Sequence, residues 1–361
     1  MKPLIVDAHI DFAYNMLSCN RDYTHTVNET RLLEKDTIIR EHNDDTVISY
    51  EDFQKGRITI IFSTLFAAPK RPKTPDWEKL VYSNSGQAYE LYSQQLDTYQ
   101  RLFDQHGDKF CPIQNRNQLD SHLKNWRSNS GLNYPTGFVI LMEGADCIRS
   151  LDDLSEFWDR GVRIIGPAWK STRFCGGTGE PGPLTRDGKD LLKSMASIGY
   201  ICDLSHMAWE SAAETLDIFE GTVIASHANA IKQVKNGSIN RFLTDEIIHG
   251  VIERNGVIGV VPYNKFLDEH WKLPSPRSDI PLSMVADQID YICQIAGCSD
   301  HVSFGSDFDG GFGLQQIPYE LDTIADLQLL NPILSSRGYS DTDISKIFGE
   351  NWIRILDRNL P

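Results

Sequence analysis

Eight short, β-branched apolar runs recur along the chain with longer segments between them, and this alternation restricts the fold more than any other feature. The runs are Leu4–Asp7, Ile58–Phe62, Phe138–Met142, Val162–Ile165, Tyr200–Leu204, Val223–Ala225, Val257–Val261 and Val302–Phe304. FVILM and VIGVV are apolar at every position, which suits strands buried on both faces in a parallel sheet covered by helices. Tyr89, Tyr92, Leu96, Tyr99 and Phe103 recur at steps of three and four, marking one face of a helix. Without basic neighbours, this aromatic stripe reads as core packing and not as a surface for stacking bases. Leu191–Ile198, Ala208–Phe219, Asp245–Arg254 and Ser283–Ala296 also predict helices. The pattern predicts an α/β fold: a single TIM-type (β/α)8 barrel. One domain over residues 1–361 is expected. The segments 21–55 and 67–84 are polar, charged or Pro-rich and are read as loop insertions at the C-terminal face.

Charge and cysteine usage narrow the setting. Acidic residues outnumber basic ones by 50 to 35, for a formal charge of -15, and no basic run is present to neutralise phosphate. No nucleic-acid partner is expected. Nor does any stretch approach the ~18 apolar residues of a membrane span, and the apolar run in MKPLIVDAHID is too short for a signal peptide. The seven cysteines include no CxxC pair and read as reduced thiols, not as a disulfide framework or a thiolate metal site. A cytoplasmic, membrane-free protein is the expectation.

In a barrel of this type, reactive residues sit where strands end and βα-loops begin. That rule sorts the ten histidines: only His9, His206 and His227 follow a predicted strand end, whereas His301 precedes the eighth strand at the opposite end. It also selects Asp11, one residue beyond His9 and so on the same face of an extended chain. Glu143 ends the third strand, and Asp307 ends the eighth, with Asp309 two residues on. Neutral imidazoles and carboxylates are natural ligands for zinc-like ions. Three histidines with three carboxylates exceed the needs of one four-coordinate ion. A pair of ions about 3.5–4 Å apart, holding a hydroxide that attacks an electrophilic carbon, uses them better. Glu143 could bridge such a pair, one oxygen to each ion.

The blocks VDAHIDF, LMEGAD, DLSHM, ASHANA, INRFLTDE and FGSDFDG, with GENWIRIL near the end, resemble the renal, or membrane, dipeptidase family of zinc peptidases. The blocks run in family order over nearly the whole chain. HxD near the N-terminus distinguishes this family from most related barrel metallohydrolases, which begin with HxH. The resemblance implies two Zn2+ per chain, with His9 and Asp11 on one, His206 and His227 on the other, and Glu143 between them. It implies that Asp307 transfers a proton, and that Arg241 grips the terminal carboxylate of the substrate, for which a guanidinium fork is suited. A free dipeptide, including one with a C-terminal D-residue, is the implied substrate, cleaved by a metal-bridging hydroxide. A homodimer is also implied.

One position departs from the family pattern. Where renal-type members carry a histidine after the fourth strand, GVRIIGPAWKSTRF places Trp169, which can pack against substrate but cannot carry a proton. Lys170 or Arg173 could substitute. CGGTGEPG, residues 175–182, reads as a flexible loop over the barrel mouth and lacks the Lys-Ser/Thr of a phosphate-binding loop. Two other readings remain open at this level. One is a barrel metallohydrolase acting on a lactone, a cyclic amide or an aminated base; the other is a non-catalytic relative that kept the barrel.

Overall fold

A computed structural model describes residues 2–72, 74–128 and 133–361. All eight predicted runs form strands: β1 Ile5–Ile10, β2 Ile58–Leu65, β3 Thr136–Glu143, β4 Val162–Gly166, β5 Ile201–Asp203, β6 Val223–Ile224, β7 Ile258–Val260 and β8 Val302–Phe304. They lie side by side in the order β6-β5-β4-β3-β2-β1-β8-β7, every neighbouring pair parallel. A parallel bridge between Ala225 and Ile258 brings β6 against β7 and closes the ring. The architecture is a (β/α)8 barrel.

The closure depends on two glycines. A Cβ on Gly259 would lie 1.9 Å from the carbonyl oxygen of Ser226, and one on Gly305 would lie 1.8 Å from the same atom. Only glycine lets the ends of β7 and β8 approach the segment that carries His227.

The uninterrupted apolar strands are buried on both faces, as their pattern predicts. In β3, Val139 and Leu141 join one cluster with Val6, Ala8, Ile60, Phe62, Ile164, Ile201 and Ile224, while Phe138, Ile140 and Met142 join the cluster shared with the helices. Alternation along a barrel strand separates an inner from an outer set. Glu143 continues the parity of Val139 and Leu141, so it ends the strand on the inner side.

The predicted helices form at Ser85–Gln105, Arg186–Ile198, Trp209–Ile218, Asp245–Glu253 and Ser283–Ala296. Tyr92, Leu96 and Tyr99 are buried on the first of them. The two tyrosine hydroxyls do more than pack: Tyr92 donates to the Glu143 carbonyl at 2.5 Å and Tyr99 to the Thr64 carbonyl at 2.7 Å. A helix read from its apolar stripe thus anchors the ends of β2 and β3.

The segment 21–55 is not a plain loop. It holds helices at Val27–Glu34, Ile38–Asn43 and Tyr50–Gly56, the first started by a Thr26–Glu29 capping box and the last by Ser49. Polar contacts hold it in place. Arg21 forks onto Glu34 at 2.9 and 3.0 Å and reaches Asp309 at 2.9 Å. The segment 67–84 contributes two short parallel strands, Ala68–Pro69 and Val81–Tyr82. Residues 175–184 form an antiparallel hairpin, Cys175–Gly177 with Glu180–Leu184, where the glycines alone suggest a loose loop. All seven cysteines are free, and no described helix is long and apolar enough to cross a membrane.

Candidate active site

Five strands deliver the six selected residues to one end of the barrel. His9 lies within β1, Asp11 precedes the helix Phe12–Ser18, and Glu143 is the last residue of β3. His206, His227 and Asp307 each stand three residues beyond β5, β6 and β8. His206 and Asp307 adopt left-handed backbone, with φ of 66° and 57°. Non-glycine residues seldom do so outside tight turns and functional sites. The turn at Asp307 is tied to β1 by its amide, which donates to the His9 carbonyl at 3.1 Å.

One carboxylate oxygen organises the centre. Glu143 Oε1 lies 3.1 Å from His206 Nε2, 3.4 Å from His227 Nε2 and 3.7 Å from His9 Nε2. His9 Nε2 also stands 3.9 Å from Asp11 Oδ1 and 3.8 Å from Asp307 Oδ1. Two overlapping donor sets result: His9 with Glu143 and His227, and His9 with Asp11 and Asp307, each with its donor atoms within 4.8 Å of one another.

The protonation states explain what such a cluster needs. Burial, then the neighbouring carboxylate of Asp11, holds Glu143 well above the usual carboxylate range; burial and Asp11 do the same to Asp307. Burial pushes Asp11 up to about 6. The imidazoles of His9, His206 and His227 are held well below their ordinary value, chiefly by burial. Without a cation, burial disfavours charge on each of these groups, and His9 Nε2 has no hydrogen-bond partner. Neutral imidazoles are ready metal ligands, and a divalent ion would favour the ionised carboxylates that burial alone disfavours. The donor set fits a metal.

A cavity of about 490 Å3 opens over Asp11, Glu143, His206 and Asp307. Its walls are largely aromatic, with Tyr14, Phe66, Trp77, Trp169, Tyr263, Phe266 and Phe312 among the lining residues. Trp169 packs edge-on to Phe66 with ring centres 5.0 Å apart. Lys170 also lines the cavity. Arg173 is instead engaged with the Ile148 carbonyl at 2.7 Å. Arg241 is 3% exposed and has its guanidinium 5.0 Å from the Phe266 ring. Its Nη2 donates to the His227 carbonyl at 2.7 Å, while Nε and Nη1 have no partner. Buried N–H donors left unpaired are costly, and a carboxylate would take up such a fork.

The sequence model of the membrane dipeptidase family, peptidase family M19, matches residues 2–359. The chain belongs to this family. As a member it is a metal-dependent dipeptidase. It is 35% identical over 216 residues to an uncharacterized protein in the pqqA 5′ region of Klebsiella pneumoniae, a match covering 56% of this chain and 74% of that one. Among solved structures, a family M19 metallopeptidase called dipeptidase AC superposes with a TM-score of 0.80 at 21% identity, over 100% of this chain and 99% of that one. A metallopeptidase from Rhodobacter sphaeroides, liganded with a phosphinate mimic of the dipeptide L-Ala-D-Ala, gives a TM-score of 0.79 at 20% identity, covering 99% of this chain and 100% of that one.

Around the dipeptidase centre lies a layer of polar residues that reading strand ends did not select. Ser226 Oγ is 2.8 Å from His227 Nδ1 and donates to the buried carboxylate of Asp203. Asp7 accepts from the amides of Ser306 at 2.8 Å and His9 at 3.2 Å. Thr64 donates to Asp11, and Thr178, on the hairpin, sits 3.0 Å from His206 Nδ1. Such partners orient ligating groups and set the tautomer of a ligating histidine. Asp7, Asp203 and Ser226 stand next to or near the selected histidines in VDAH, DLSH and ASH, so a signal for them was present. Thr178 carried none. The hairpin does not itself line the cavity; it backs His206. Asp309 belongs elsewhere: fully buried, it binds Arg21, Tyr23, Thr46 and the Val47 amide.

Proposed function

We propose that the protein is a dinuclear zinc dipeptidase that hydrolyses free dipeptides, including those with a C-terminal D-residue, with residues 1–361 acting as one catalytic unit. The observation that carries this reading is the convergence of three imidazoles on one oxygen of Glu143, with Asp11 and Asp307 adjoining and two unpaired N–H groups of Arg241 nearby. His9 and Asp11 would hold one ion and His206 and His227 the other, with Glu143 between them. When bound, the ions supply Lewis acidity and an activated hydroxide at neutral pH.

The chain's own residues do the rest. Arg241 receives the terminal carboxylate and so selects a free C-terminus. Asp307, whose Oδ1 lies 3.8 Å from His9 Nε2 at the centre, passes a proton to the leaving amine. Trp169 packs against the substrate, and with Phe66 it keeps water from the reacting bond. The neighbour bound to an L-Ala-D-Ala mimic supports small peptides, with a D-residue at the second position, as the substrate class. A reducing, cytoplasmic setting is part of the reading, supported by seven free cysteines. So is the homodimer that the resemblance implies.

The test is a panel of L,L and L,D dipeptides incubated with zinc-loaded protein and followed by mass spectrometry. Free dipeptides should be cleaved, and N-acetylated or C-amidated versions spared. Two bound metals per chain with no cleavage of any dipeptide would refute the reading.

A further inference from the structure

Besides the metal-facing acids Asp11, Glu143 and Asp307, one more carboxylate lines the cavity, that of Glu78. The hydrolytic scheme makes no use of it. It is held in place by neutral donors: Tyr14 Oη donates to Oε2 at 2.6 Å and the Leu80 amide to Oε1 at 3.2 Å. Among the described residues, no Lys, Arg or His nitrogen comes within 4.0 Å of it. Cations of the same cavity are placed elsewhere. Arg71 forks onto Glu180, both contacts at 3.0 Å, and Lys170 lies over the Trp169 ring at 5.5 Å.

A pre-positioned carboxylate with no cation beside it among the described residues, on the wall of an aromatic cavity, suits a positive charge. Its place in the cavity indicates which part of the substrate would supply that charge. Arg241 stands against Phe266, whereas Glu78 stands against Tyr14, whose ring is 5.4 Å from Phe66. Tyr14 belongs to the helix that follows β1, whereas Arg241 is hydrogen-bonded to the His227 carbonyl beyond β6, across the ring of strands. A dipeptide with its carboxylate on Arg241 therefore turns its N-terminal residue toward the Glu78 wall.

Building on the dipeptidase reading, we propose that Glu78 sets specificity at the N-terminal position, favouring a side chain that ends in an ammonium or guanidinium group. The aliphatic stem of such a residue packs along Phe66 and Trp77, and its head meets a carboxylate already held by two hydrogen bonds.

The experiment compares kcat/KM for L-lysyl-D-alanine and L-alanyl-D-alanine in the parent enzyme, Glu78→Gln and Glu78→Lys. The lysyl-to-alanyl ratio should fall about tenfold in Glu78→Gln, the scale of one part-screened charged hydrogen bond. In Glu78→Lys, L-glutamyl-D-alanine should be preferred to L-lysyl-D-alanine, and in the parent the lysyl-to-alanyl ratio should shrink as salt is raised. A ratio unchanged by Glu78→Gln overturns the proposal. So does an equal loss on both substrates, which would assign Glu78 to the α-amine or to the fold. If the parent cleaves neither peptide, the dipeptidase reading fails by itself. Calorimetric binding of the same two peptides to parent and Glu78→Gln then decides on Glu78, and equal affinities of the two proteins for the lysyl peptide would overturn its role.

Discussion

Thr178 Oγ1 lies 3.0 Å from Nδ1 of His206, so a hairpin that does not line the cavity holds the ring whose Nε2 faces Glu143. With Nδ1 committed to the hydroxyl, Nε2 is left for an ion. Replacing Thr178 with Val keeps the shape and removes this bond. Zinc affinity of the ion proposed for His206 and His227 should drop about tenfold, read by competition with a chromophoric chelator, and Thr178→Ser should restore it. Equal affinities for the Val variant and the parent would leave the hairpin with a packing role only.

Asp307 is the proposed proton carrier, and removing its titrating oxygen tests that role. Asp307→Asn should lower kcat about 100-fold or more while both metals remain bound, measured by steady-state kinetics beside elemental analysis. Equal rates in mutant and parent would exclude proton transfer by this residue. Loss of metal together with rate would make it a ligand instead.

Arg241 is expected to recognise the free carboxylate through its two unpaired nitrogens. Arg241→Lys keeps the charge but loses the fork. The preference for a free over an amidated C-terminus should collapse about 100-fold in kcat/KM. If KM values for all peptides stay unchanged, the carboxylate is bound elsewhere.

Metal uptake should release protons. Burial raises Asp11 to about 6 and holds Glu143 well above the usual carboxylate range, so the metal-free cluster holds protons that these ligating carboxylates must give up. The histidines are already neutral and release none. Apparent zinc affinity therefore rises as pH climbs through about 6. Titration calorimetry at pH 6 in two buffers of different ionisation enthalpy should show the release as a difference in heat. Identical heats in both buffers would contradict the picture.

Asp309 should matter to stability and not to chemistry. It is fully buried against Arg21, whose Nη1 lies 2.9 Å away, and truncating one side of a buried pair strands the other. Asp309→Ala should cost about 3 kcal/mol in denaturant unfolding, with the metal content of the folded protein retained. A loss below about 1 kcal/mol would show that Glu34 alone satisfies Arg21.

What the sequence determined by itself is whatever repeats or stays close along the chain. Eight apolar runs forecast eight barrel strands, because burial on both faces leaves its mark at consecutive positions. His9, Asp11, Glu143, His206, His227 and Asp307 could be selected because a barrel places strand ends at one mouth. The tertiary structure alone decided what depends on partners far away in sequence. Asp309 reads like a site residue, two positions after Asp307, until Arg21 and Thr46 are seen to enclose it. The short helices of 27–56 are too brief and polar to show a period. Their segment is held to the barrel by contacts such as that of Thr46 with Asp309, 263 residues apart in sequence. Thr178 and Glu78 are ordinary polar residues in their own segments; a hydroxyl or carboxylate acquires a role only when folding brings an imidazole or a cavity wall within 3 Å or so. Hydrophobic periodicity is a local record of burial, but hydrogen bonds and charge placement are set by which distant groups share the dry interior.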